Sequence, residues 1–238
     1  MKGLQGKTIA VTGAAGGICT AVCERLIDEG ATVYALDRVP AELGNFVEID
    51  VTDEGSINAA VQAVIADAGR VDGVVAGAGI VEPSTAAEDI PVELFDRVMA
   101  VNLRGVFLTC MAFGRPMLAQ GAGNIVAISS MSGNHVVNTP QQQCVYNASK
   151  AGVTALIKSL AVEWAPRGVR VNAVAPGYIA TPLVESRRHL FDGWVAETPM
   201  SRLGQPAEVA GTIAFLLSDE SSFYCGGELL MDGGYTLR

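Results

Sequence analysis

The chain offers little that would hold a metal ion or grip a polyanion. It has only two histidines, His135 and His189, far apart in sequence. Its five cysteines, Cys19, Cys23, Cys110, Cys144 and Cys225, are irregularly spaced, odd in number and include no Cys-x-x-Cys. They read as reduced, mostly buried thiols rather than a disulfide frame. Cys19 and Cys23 lie one helical turn apart, but no His or acidic residue stands at ligand spacing, so packing rather than a metal pair is expected there. Charged side chains make up only 17% of the chain, which excludes a disordered polyelectrolyte. Positive charge is scarcer than negative, for a formal net charge of −9, and no basic run offsets it. Nucleic acids and anionic membranes are therefore poor partners. No uninterrupted apolar run approaches the roughly 20 residues needed to span a bilayer. The opening "MKGLQGKTIAVTG" breaks at Gly13 before it could form a secretory signal. A soluble, cytoplasmic protein is expected.

What the chain does have is apolar bulk. Half of its 238 residues are hydrophobic, enough for one large core. Short runs of strand type recur: "KTIAVTG", "ATVYALD", "DGVVAGAG", "GNIVAISS", "VRVNAVAPG" and "GELLMDGG". Helical stretches lie between them, at 17–29, 54–68, 92–119, 146–165 and 206–217. Unbroken Val/Ile/Ala strands suit a parallel sheet covered on both faces. The alternation predicts an α/β fold: a single domain over 1–238, with a doubly wound parallel sheet flanked by helices. Internal repeats, linkers and low-complexity segments are absent. One stretch resists the pattern, "PGYIATPLVESRRHLFDGWVAETPMSR" at 176–202. An irregular insertion after a strand's C-terminal end suits a substrate lid, here at about 178–202.

Three features carry chemistry. "AVTGAAGGIC" follows the first strand and opens a helix, so Gly13, Gly16 and Gly17 let backbone approach a phosphate at the helix N-terminus. "VYALDR" then ends the second strand with Asp37, 24 residues beyond Gly13. A carboxylate there accepts hydrogen bonds from ribose hydroxyls and repels a 2′-phosphate, which favours NAD over NADP despite the neighbouring Arg38. Third, "CVYNASKAG" sets Tyr146 and Lys150 four residues apart, on one helical face. An ammonium beside a phenol lowers its pKa and fits it for proton transfer to or from an alcohol oxygen. Upstream, "IVAISSMSG" ends a buried strand in two serines, and "VMAVNLRGVF" buries Asn102 in an apolar helix, where an amide needs a specific partner.

Together these residues resemble the short-chain dehydrogenase/reductases, and the likeness runs over essentially the whole chain, from "GKTIAVTGAAGGI" through "YNASK" to "VRVNAVAPGYIATPL" and "GGELLMDGGYT". The resemblance implies a Rossmann-like fold and hydride transfer between a substrate carbon and a nicotinamide ring. It implies Tyr146 as catalytic acid/base, Lys150 as ribose ligand and tuner of that phenol, Ser130 (rather than Ser129) as the group orienting the substrate oxygen, and Asn102 as holder of a relay water. It assigns Gly13, Gly17 and Ile18 to the pyrophosphate turn, Asp50 and Val51 of "EIDVTD" to the adenine, and Pro176, Gly177, Ile179 and Thr181 to the nicotinamide. Two departures stand out. Cys19 occupies the turn's last glycine position, and "VVAGAG" has Ala76 and Gly77 where two asparagines are usual, while Ala78 and Gly79 remain. Cys19 is expected to need a compensating gap or to push its helix outward.

For substrate, the loop "MSGNHVVNTPQQQCV" supplies Asn134, His135, Asn138, Gln141, Gln142 and Gln143. Amides donate and accept at once, which suits a polyhydroxylated molecule, and with Ser130 and Tyr146 the residues expected to touch it include Asn138 and Gln143. The chain resembles most the polyol and ketose branch of the family (mannitol, arabinitol, sorbitol and galactitol dehydrogenases). The alternatives are a 3-oxoacyl thioester reductase, disfavoured by Asp37 and the acidic surface, and a non-catalytic NAD sensor. A homotetramer is expected from the resemblance alone.

Overall fold

The computed structural model describes residues 1–185 and 187–238. Seven parallel strands form one sheet in the order β3-β2-β1-β4-β5-β6-β7. They are β1 (Thr8–Thr12), β2 (Thr32–Asp37), β3 (Asn45–Glu48), β4 (Gly73–Ala76), β5 (Gly123–Ile128), β6 (Val169–Pro176) and β7 (Glu228–Met231). Strands β1 and β4 are buried at every residue, which is why they read as unbroken apolar runs. Each βαβ connection lays its helix on one face or the other. Helices α1 (Gly17–Asp28) and α9 (Pro206–Leu217) cover one side. The other is covered by α2 (Glu54–Ala68), α4 (Gly105–Gln120) and α6 (Cys144–Trp164).

The chain order reverses between β1 and β4, and there the loops leaving the strand ends diverge and open a crevice. The expected helix over 92–119 is α3 (Val92–Met99) joined to α4 through a π-helical turn, Ala100–Arg104. By length and composition Val92–Gln120 is apolar enough to cross a membrane, yet half of its most apolar window is buried inside the fold. That packing accounts for its composition. The segment after β6 is less irregular than expected: it holds two short helices, α7 (Pro182–Glu185) and α8 (Phe191–Glu197). A third short helix, α5 (Met131–Asn134), follows β5.

Candidate active site

The first turn sets the geometry of the crevice. Gly13 has φ of +74°, and a β-carbon on it would lie 2.8 Å from the Ala78 Cα, so only glycine fits between the ends of β1 and β4. Gly16 precedes α1 without a side-chain cap, leaving the helix N-terminus open to an anion. Asp37, at the end of β2, holds this turn in place. One carboxylate oxygen accepts from the Ala15 N–H (3.0 Å), the other from the Arg38 N–H (2.7 Å). The strand tie that two asparagines would supply is made instead by Thr12, whose hydroxyl donates to the Val75 carbonyl (3.3 Å) and accepts from the Gly77 N–H (3.1 Å). Burial pushes the Cys19 and Cys23 thiols up to about 12, so both stay protonated at neutral pH.

The glycines of the turn and Asp37 border a cleft of about 370 Å³. It gathers most of the expected cofactor ligands: Gly13, Gly16, Gly17, Ile18, Asp37, Asp50, Val51, Ala78, Gly79, Tyr146, Lys150 and Thr181. Asp50 is held ionised chiefly by hydrogen bonds from the Thr52 hydroxyl and N–H (2.7 and 2.9 Å). Three expected ligands do not line the cleft. Pro176 is buried at the end of β6, paired with Met231. Gly177 faces the neighbouring pocket, and the Ile179 side chain is buried against a separate cavity with Met200, Val209 and Met231. Ile179 is tied to Gly204 by an isolated parallel bridge and buried in the core, while Thr181, just before α7, reaches the cleft beside Gly17. The arrangement as a whole fits a dinucleotide: a glycine cradle that a β-carbon would fill, an open helix N-terminus and a carboxylate at the end of β2.

Tyr146 and Lys150 meet at the inner end of this cleft, one turn apart on α6. Lys150 is 4% exposed. Its Nζ donates to the Ile128 carbonyl (2.7 Å) and stands 5.7 Å from the centre of the Tyr146 ring. Burial lowers its pKa to about 8, so it can hold or release a proton near neutral pH. The Tyr146 phenol does not behave as spacing alone suggested. Burial moves its pKa upward; the groups that draw it back are a hydrogen bond with Ser130 and the charge of Arg187, while Glu82 reinforces the rise. Lys150 donates instead to a backbone carbonyl and is not among the groups that move the phenol's pKa.

The two serines part company. Ser129 turns into the helix layer, against the Thr154 hydroxyl (2.9 Å) and the Lys150 carbonyl (3.1 Å). Ser130 stays on the pocket side, where its hydroxyl also accepts from the Ser132 N–H (3.2 Å). Asn102 sits fully buried in the π-helical turn and holds the Ile80 backbone in both directions, each bond 2.8 Å, with a third to the Ser149 hydroxyl (3.1 Å). Its amide is thus a fastener for the loop after β4. A β-carbon on Gly79 would lie 3.4 Å from Lys150 Nζ and 3.5 Å from Asn102 Oδ1, so both groups converge on that glycine.

Beyond Tyr146 lies a smaller pocket of about 90 Å³, bordered by Ser130, Asn138, Gln141, Gln143, Tyr146, Tyr178, Arg187 and Trp194 among others. Asn138 and Gln143 line it as expected, but their amides are engaged with each other and with the protein. Gln143 Nε2 donates to Asn138 Oδ1 (3.1 Å), and Asn138 Nδ2 donates to the Tyr178 hydroxyl (3.0 Å). Oriented to satisfy both its ends, the Gln141 amide accepts from the Tyr178 hydroxyl and Trp194 Nε1, each at 3.0 Å. Tyr178 stacks on Trp194 with ring centres 4.1 Å apart, so the segment after β6 is pinned over the pocket.

Glu82 and Arg187 carried no signal in the sequence. Glu82 is fully buried, and its carboxylate accepts from the Val145 and Tyr146 N–H groups (3.0 and 3.1 Å), capping the helix that bears the phenol. Arg187 reaches over from the segment after α7 to Gln143 Oε1 (2.8 Å) and the Glu82 carbonyl (3.0 Å). A lone acid in a loop and an arginine in a mixed-charge run have no spacing that betrays them. Among the described residues, no cluster of three or more His, Cys, Asp or Glu could hold a metal.

A dinucleotide cleft that opens onto a phenol, a serine and a buried lysine, at the reversal point of a parallel sheet, defines an oxidoreductase of the nicotinamide-dependent class. A family model described as enoyl-(acyl carrier protein) reductase matches residues 13–236. The galactitol 2-dehydrogenase (L-tagatose-forming) of Cereibacter sphaeroides is 44% identical over 248 residues, covering 98% of this chain and 96% of that one. The galactitol 2-dehydrogenase of Rhizobium johnstonii is 41% identical, covering 98% and 96%. The crystal structure of a short-chain type dehydrogenase/reductase from Mycobacterium marinum superposes with a TM-score of 0.95 at 37% identity, covering 99% of this chain and 98% of that one. The chain belongs to the short-chain dehydrogenase/reductase family, oxidoreductases acting on CH–OH groups.

Proposed function

We propose that this protein is an NAD-dependent polyol dehydrogenase, interconverting a secondary alcohol of a sugar alcohol and the corresponding ketose. The observation that carries the reading is the position of Tyr146, which borders both the dinucleotide cleft and the small polar pocket. A carbinol in that pocket has its oxygen within reach of the phenol and of the Ser130 hydroxyl. In oxidation, Tyr146 takes the hydroxyl proton and Ser130 donates to the same oxygen, holding the carbinol hydrogen toward the cleft. When bound, the nicotinamide supplies the hydride acceptor. Lys150, which titrates near neutrality, can pass the proton onward. Asn102 acts at one remove, by fixing the Ile80 loop against α6.

Asp37 supports NAD as the cofactor. Its carboxylate faces the cleft and would oppose a 2′-phosphate. The polyol class is supported by two relatives at 41–44% identity that act on galactitol, and by a small polar pocket bordered by the hydroxyls of Ser130 and Tyr146 and the guanidinium of Arg187. That small polar pocket and the net charge of −9 disfavour a long acyl chain on an acidic carrier. We read the segment at 178–202 as the substrate lid, pinned by the Tyr178–Trp194 stack. Assembly as a homotetramer in the cytoplasm accompanies this reading. Exposed apolar side chains on the long helices, Phe95, Phe107 and Val162, are suited to bury against a second copy. The test is turnover of sugar alcohols, diols and monohydric alcohols with NAD and then NADP. NAD-linked oxidation of a polyol is expected; turnover restricted to NADPH and 3-oxoacyl thioesters overturns the proposal.

A further inference from the structure

The small pocket contains more polar groups than it leaves free. The amides of Asn138, Gln141 and Gln143 all have protein partners, so the residue types that first suggested sugar recognition are committed to holding the pocket's shape. The hydroxyls of Ser130 and Tyr146 belong to the reacting carbon. Apart from the single hydroxyl of Ser132, one polar group bordering the same space has capacity left over: the guanidinium of Arg187. Among the described residues it makes two hydrogen bonds, one from each terminal nitrogen, and both go to neutral acceptors, the Gln143 amide oxygen and the Glu82 carbonyl. Arginine offers five N–H groups in a fixed planar fork, so these two bonds orient the fork without filling it. The first bond ties Arg187 to the loop that precedes α6, and the second to the residue whose carboxylate caps α6. The fork is therefore referenced to the same helix that carries Tyr146, and its distance from the reacting carbon is set by the fold.

From this geometry, and resting on the polyol reading above, we infer that Arg187 is the specificity-determining residue of the pocket. Its fork receives two adjacent oxygens of the substrate, a vicinal diol one or more carbons from the carbinol that Tyr146 and Ser130 hold. A planar fork matches an oxygen pair and gives little to a chain with a single hydroxyl. Arg187 thereby separates polyols from simple secondary alcohols, and does so through binding rather than through the proton transfer itself.

The test compares galactitol with cyclohexanol as substrates of wild type, Arg187→Met and Arg187→Lys, with melting temperatures measured alongside. Arg187→Met is expected to lower kcat/KM for galactitol by about 10- to 100-fold more than that for cyclohexanol, the extra loss falling on KM, while any loss of kcat that comes from the Tyr146 phenol is shared by both substrates. Arg187→Lys should recover only part of the loss, since an ammonium is a point donor and not a fork. Equal losses on both substrates, or a loss confined to kcat, would show that Arg187 merely braces α6 and would overturn the inference. So would an unchanged KM for galactitol. Those outcomes leave the polyol reading standing; a wild type that oxidises cyclohexanol but no polyol removes the reading itself, and the inference with it.

Discussion

The sulfur of Cys19 stands where a side chain on Gly77 would begin. A β-carbon built on Gly77 would fall 2.3 Å from Cys19 Sγ, 2.9 Å from the Thr12 carbonyl oxygen and 3.2 Å from Ile128 Cδ1. The two places at which the sequence departs from its family are therefore one packing event. Helix α1 carries an extra sulfur toward the sheet, and the loop leaving β4 has given up a side chain at Gly77 to receive it.

This coupling is measurable. Gly77→Ala is expected to destabilise the protein by about 2 kcal/mol, as overpacking of a dense core does. In a Cys19→Gly background the same change should cost less, with a remainder set by the Thr12 carbonyl. A double-mutant cycle by urea unfolding should return a coupling of about 1 kcal/mol. Additive effects would mean that α1 yields freely and the two positions are independent.

Asp37→Ser tests the cofactor assignment. The carboxylate serves twice, facing the cleft and accepting from the Ala15 and Arg38 N–H groups. Serine keeps an acceptor for the turn and removes the charge. The ratio of kcat/KM for NAD to that for NADP should fall by about tenfold or more. An unchanged ratio would place the adenosine ribose elsewhere.

Much of this architecture was legible in the letters, for a physical reason that also sets the limit. Strands buried on both faces must be apolar throughout, so β1, β4, β5 and β6 announced themselves. Strand β3 did not: Asn45–Glu48 lies at the sheet edge and leaves its side chains largely in solvent, so no apolar run marked it. The helices over 54–68 and 206–217 match α2 and α9. The π-helical turn at Ala100–Arg104 was invisible because its residues keep the apolar pattern of a continuous helix. In the site, the Tyr146–Lys150 pair was read from its spacing, while the choice of Ser130 over Ser129 came from the family resemblance. The direction of the Tyr146 pKa was not, because burial and the charges of Glu82 and Arg187 come from distant segments that only the fold brings together. For the same reason the amides of the 131–145 loop looked like substrate ligands until their partners could be seen.

Lys150 makes a prediction about pH. Its folded pKa, about 8, is below the ordinary 10.5, so folding is penalised wherever the amine must be carried charged. The penalty is full below about pH 8 and disappears above about pH 10.5. Lys150→Met should therefore raise stability most at pH 7, by at most about 3 kcal/mol less about 1 kcal/mol for the lost bond to the Ile128 carbonyl. That advantage should shrink steadily as the pH is raised toward 10. Urea midpoints at several pH values measure it. A difference that does not vary with pH would contradict the burial account of this lysine.

The most direct measurement is the turnover and cofactor affinity of Tyr146→Phe. This substitution removes one oxygen and leaves the ring beneath Lys150 in place. The account predicts that polyol oxidation falls by at least about 100-fold while the Kd for NADH stays within about threefold of wild type. A variant that oxidises the polyol within about tenfold of the wild-type rate would show that the proton leaves by another group, and would contradict the account at its centre.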